Sequence, residues 1–166
     1  MEASEGVLRL FQRGNGAPRG ELQPVNATCD IGWSILWEHI RFGGPPPPLR
    51  DVTQYDLGDL GGVRLTFTDA AAMPGGGVLF LATAEDSPDA IRDGEVFGTA
   101  IGVLGDDDSP RWAPLSDAQG EPLRVKAEGL AVDWDEPGRA YVVLDSDTSR
   151  APAELLEVQL SGPWPR

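Results

Sequence analysis

Apolar and polar positions alternate along this chain in short runs. The runs are separated by glycine, proline and aspartate, the rhythm of strands joined by tight turns. The clearest unit runs from Glu128 to Asp147: a carboxylate, a short apolar strand ending at Val132, a turn through Pro137 and Gly138, a longer apolar strand to Leu144, and an acidic end at Asp145 and Asp147. The same order begins at Asp69, with Ala70 to Ala72, a turn at Pro74 to Gly77, the apolar run from Val78 to Ala84, and Glu85 and Asp86 at its end. Further strands are predicted over 6–12, 52–57, 63–68, 96–104, 112–115 and 153–160. Gly98 and Gly102 in the fourth of these imply close backbone packing. Residues 17–32 read as a loop. Trp33 to Phe42 fits a strand or two turns of helix, and strand is preferred because Gly43, Gly44 and four prolines follow at once. Those prolines predict an extended spacer.

Composition agrees with this rhythm. The 166 residues include 21 Gly and 15 Pro, ordinary for strands and turns and high for a helical protein. One domain of this length buries roughly 70% of its extended-chain surface. The formal charge is −14, and residues 1–50 carry five charges of each sign, which leaves 8 basic against 22 acidic residues in 51–166. A field of that sign repels phosphate backbones and anionic lipid, so neither nucleic acid nor membrane is an expected partner. The single Cys29 allows no intrachain disulfide. With neither a signal peptide nor a run of about 18 apolar residues, the expected location is cytoplasmic. The Asn26-Ala27-Thr28 triplet fits a glycosylation pattern that means little without export.

Asp69 and Glu128 lie 59 positions apart, somewhat beyond the ~40–50 residues of a β-propeller blade. A loop such as 84–94 accounts for the excess. The segments Leu8 to Asn15, Phe67 to Ala72, Ala84 to Ala90 and Glu128 to Asp133 together resemble an uncharacterised family of bacterial β-propeller proteins. That family is similar to the phytase-like, esterase-like and strictosidine-synthase-like six-bladed propellers. The resemblance implies an all-β, β-propeller-like half-propeller of about three four-stranded blades: a partial one over 6–57, then 58–115 and 116–166. It matches the C-terminal half of that family, with the strand at 6–12 standing where a unit's second strand belongs. An arc of this kind leaves strand edges unpaired, and the expected remedy is a homodimer that completes the ring. A truncated gene product or a smaller open sheet is the alternative.

The chemistry expected follows from the same resemblance. Related propellers hold Ca²⁺ near the channel mouth, where Asp69 and Glu128 would open the inner strands of neighbouring blades. The competing reading is that each carboxylate caps a turn. Glu85, Asp86, Asp145 and Asp147 form a second acidic cluster, either a looser cation site or solvated loop charge. Asp145, Asp147 and Ser149 match the start of a calcium loop, but Arg150 and Leu156 break it. His39 is the sole histidine, there is no G-x-S-x-G elbow, and one His with one Cys does not make a zinc site. Trp33, Trp37, Trp112, Trp134 and Trp164 suit packing between blades better than ligand stacking. The leading expectation is a non-enzymatic binding or scaffold module that self-associates. The rival is a metal-dependent hydrolase of phosphoesterase or lactonase type, with Glu85, Asp86 or Glu128 as its base.

Overall fold

A computed structural model describes residues 6–16, 18–88, 94–105, 109–147 and 151–162. The fold is all-β, and the described residues contain eleven strands and one helix in three antiparallel meanders taken in chain order. The first sheet joins β1 (Val7–Gln12), β2 (Asn26–Gly32) and β3 (Arg50–Tyr55), with helix α1 (Trp33–Phe42) between the last two. The central sheet runs β4 (Asp59–Leu60), β5 (Val63–Ala72), β6 (Val78–Asp86), β7 (Glu95–Leu104) and β8 (Pro110–Pro114). The third joins β9 (Ala127–Val132), β10 (Arg139–Leu144) and β11 (Glu154–Gln159). The strand counts are three, five and three, where four per sheet were expected.

The central sheet is buried on both faces, which explains why β6 reads as an unbroken apolar run rather than an alternation. Leu79 and Leu81 join Ile101 and Val103 against Ala140, Val142 and Leu144 of the third sheet. Phe80, Ala82 and Ala84 face the other way, packing with Leu65, Phe67 and Tyr55. Phe67 is the hub of that side, with edge-to-face rings from Phe11 at 5.3 Å, Phe80 at 5.2 Å and Tyr55 at 5.7 Å. β7 runs against β6 so closely that a methyl group on Gly102 would meet the Phe80 ring and, at 2.7 Å, the Arg111 carbonyl. Register shifts between Phe67 and Asp69, and between Ala84 and Glu85, are places where the ladder takes an extra residue and bends. They accompany the curl of this sheet into a half barrel.

Two local expectations are corrected. Trp33 to Phe42 is helical, and its boundary glycine is a helix stop: Gly43 has φ 75° and donates its N–H to the His39 carbonyl at 2.9 Å. The i, i+4 pair Trp33 and Trp37 stacks at 5.9 Å on one face of that helix. The supposed loop at 17–32 contains β2, whose apolar signal is weak because its inward residues Asn26 and Thr28 are polar. Both are buried and satisfied: Thr28 Oγ1 lies 3.0 Å from Tyr55 Oη. Asn26 Oδ1 accepts from the N–H groups of Gly14 and Phe67, while its Nδ2 donates to the Leu65 carbonyl. Buried this way, the Asn26 amide is not available as a glycan acceptor.

Candidate charged site at the junction of the three sheets

β6 ends in Glu85 and Asp86, while Arg13 directly follows β1 and Asp145 to Asp147 directly follow β10. The fold carries these ends to one junction, where the start of β9 adds Lys126 and Glu128. Glu85 is the centre, its side chain 4% exposed. Its Oε2 takes an ion-paired hydrogen bond from Arg13 Nη2 at 2.9 Å, and its Oε1 accepts the Gly94 N–H at 2.9 Å. Lys126 Nζ, almost as buried, lies 3.7 Å from Glu85 Oε1 and 2.8 Å from Asp147 Oδ1. Arg13 Nη1 stands 3.6 Å from Glu128 Oε1. The Arg13 guanidinium beside the first sheet and the Lys126 ammonium beside the third thus tie together carboxylates of the central and third sheets.

The backbone explains how these groups reach each other. Asp145 donates its N–H to the Lys126 carbonyl at 2.9 Å, pinning the end of β10 beside the entry to β9. Its side chain accepts the Asp147 N–H at 2.9 Å, and Asp147 takes the left-handed φ of 51° that aims the turn back at Lys126. Asp145 is therefore a turn-forming residue, and Asp86 is exposed at the end of the ladder opposite Glu95. Thr99 stitches the same region from inside: its hydroxyl donates to the Val125 carbonyl at 2.7 Å and accepts the Ala127 N–H at 3.3 Å. A cavity of about 330 Å³ opens beside Lys126 and Asp147, lined also by Arg124, Leu144 and Glu154.

Asp69 is brought next to β9 but is spent on the backbone. It sits inside β5 at the bulge, not ahead of a strand, with Oδ1 accepting the Ala70 N–H at 2.8 Å and Oδ2 the Leu130 N–H at 2.7 Å. Glu128, two residues before Leu130, has its carboxyl pushed above the usual range, chiefly by burial. Arg13 and Lys126 oppose that shift, and Glu85 and Asp145 add to it. Glu128 Oε1 and Arg13 Nε are buried and make no hydrogen bond.

A calcium ion prefers six to eight oxygens from carboxylates, carbonyls and water. Asp69 and Glu128 do not fit that demand, because Asp69 already holds two N–H donors and Glu128 faces a guanidinium. Among the described residues no group of three or more His, Cys, Asp or Glu side chains is placed to hold one metal. Glu85 and Asp147 do converge on a cation, but it is the Lys126 ammonium.

Sequence reasoning missed Arg13, Lys126 and Asn26. The expectation that the strand at 6–12 stands where a unit's second strand belongs is corrected: among the described residues β1 is the first strand of its sheet and pairs with β2 alone, so Arg13 is not at the position where the repeated units carry Glu85 and Asp145, and no local signal marked it. His39 lies on α1, not in the cluster. Trp112 does pack between elements, donating Nε1–H to the Leu57 carbonyl at 2.8 Å. Trp33, Trp37 and Trp134 are exposed, and Trp164 is outside the described residues. Among the described residues no helix is long and apolar enough to cross a membrane. No curated protein and no solved structure matches the chain. A family model does match residues 2–149, and the chain belongs to that family, DUF6910, a family of unknown function.

Proposed function

We propose that the protein is a non-enzymatic binding or scaffold module, a half β-propeller that self-associates. The observation carrying this reading is that the charges gathered at the junction are turned on one another. Arg13, Glu85, Lys126 and Asp147 form one chain of pairs that runs across the three sheets, which suits a rigid frame better than a reaction centre that must present an unpaired base and a bound electrophile. The three successive meanders support the propeller part of the reading. β5 touches β1 on one side and β9 on the other, as inner strands of adjacent blades would. The single cysteine suits a reducing, cytoplasmic location.

One observation favours the hydrolase reading: Glu128 is a carboxylate raised by burial beside an arginine, the environment of a general acid or base. A screen of phosphate monoesters, lactones and carboxylic esters, with and without added divalent cations, separates the two. The module reading expects no turnover above background. Saturable turnover abolished in Glu128→Gln overturns it in favour of a hydrolase.

A further inference from the structure

Helix α1 lacks the cover that a helix of its length requires. Ten residues fall short of the ~12–15 that stand alone in water even in favourable sequences, and helices of this size persist by burying an apolar face. Yet α1 buries none of its residues. Trp33 is 49% exposed, Trp37 48% and Ile40 63%, and their i, i+4, i+7 spacing puts them on one stripe. The helix is anchored at its start, where the Trp33 N–H donates to the Gly6 carbonyl at 2.8 Å.

Charge identifies what covers the stripe. Residues 51–166 hold the whole acidic excess, 8 basic against 22 acidic, whereas residues 1–50 are balanced at five and five. Two copies carrying −14 each repel across most of their surface. The balanced first sheet and its helix, where Glu38 is offset by Arg41, are where they can approach. A lipid surface suits the stripe poorly, because interfacial helices carry a basic polar face and anionic headgroups repel this chain. We infer that the Trp33, Trp37 and Ile40 face of α1 docks on the same face of a second copy, about a two-fold axis. This rests on the self-association reading and names its contact. Tryptophans at the centre of a self-complementary patch are the residue type that dominates such interfaces.

Sedimentation velocity over a concentration series tests the inference on the full chain, comparing wild type with Trp37→Glu, Ile40→Glu and, on the edge strand β11, Leu155→Glu. Wild type is expected at twice 17.7 kDa. The two helix variants should dimerise at least about tenfold more weakly, and Leu155→Glu should match wild type. Because Trp37 and Ile40 support no buried core, both variants are expected to fold and to melt cooperatively where wild type does once diluted to monomer. Red-shifting tryptophan emission on dilution of wild type gives a readout free of substitutions. A wild-type dimer that the helix variants do not weaken, with emission independent of dilution, overturns this contact while self-association stands. A wild-type monomer overturns both, including one that adsorbs to phosphatidylcholine vesicles or carries a different protein on α1.

Discussion

Asp69 Oδ2 accepts the backbone N–H of Leu130 at 2.7 Å, a hydrogen bond that spans 61 positions and ties the bulge of β5 to the middle of β9. With Oδ1 on the Ala70 N–H, the carboxylate works as a clip between the central and third sheets. Charge-assisted bonds of this kind contribute about 1.5–3 kcal/mol, and their loss strands the partner N–H. Asp69→Ala is therefore expected to lower stability by about 2–3 kcal/mol, read as a fall in denaturation midpoint. A metal site there would instead make the deficit appear only with Ca²⁺ present, so the comparison is made in chelator and in excess Ca²⁺ and should give the same value.

Lys126 is expected to matter more than its neighbours. Replacing it by Met removes the ammonium between Glu85 and Asp147 and leaves Glu85 buried with Arg13 and the Gly94 N–H only. Breaking one partner of a buried pair costs about 3–5 kcal/mol, and because Asp147 is partly exposed the lower end applies. In a double-mutant cycle, Glu85→Gln should recover part of that loss in the Lys126→Met background. Strict additivity would show that the 3.7 Å contact carries nothing.

Glu128 sets a pH dependence. Burial raises its folded-state pKa above the ordinary 4.5, so the folded state holds the proton more tightly than the unfolded chain. Ionised Glu128 then weighs against folding at neutral pH, and that burden lifts as pH falls from the raised value through 4.5. Glu128→Gln should be more stable than wild type at pH 7, with the advantage shrinking on acidification and gone below about pH 4. Melting curves of both proteins across that range decide the matter; an advantage that grows toward acid would contradict the assignment.

Gly102 is required for space. A methyl there would meet the Phe80 ring and the Arg111 carbonyl, in a sheet packed on both faces. Overpacking of this kind costs about 1–3 kcal/mol, and Gly102→Ala should approach the upper figure because one of the opposing groups is backbone. Gly120→Ala, where a methyl meets nothing within 4 Å but the backbone sits at φ 86°, should lose stability through conformation alone and serves as the comparison.

The sequence showed most strands because their signals are local. The repeated order of carboxylate, strand, turn, strand and acid lands on β5 to β6 and on β9 to β10, and Pro74 to Gly77 is the turn expected between strands. The errors also have local causes. β2 hides its inward positions behind Asn26 and Thr28, and Gly43 ends a helix as readily as it ends a strand. The junction was legible only as acids, because which cation each acid meets is decided across sheets. Arg13 reaches Glu85 over 72 positions, and nothing near Lys126 in sequence names Glu85 or Asp147 as its partners.

The central claim is that the chain is a self-associating frame, and the molar mass of the wild-type protein in solution, measured by light scattering on a size-exclusion column, tests it most directly. A mass of twice the 17.7 kDa chain, unchanged by Ca²⁺ or by chelator, is the predicted result. A folded monomer at every concentration reached would contradict the account.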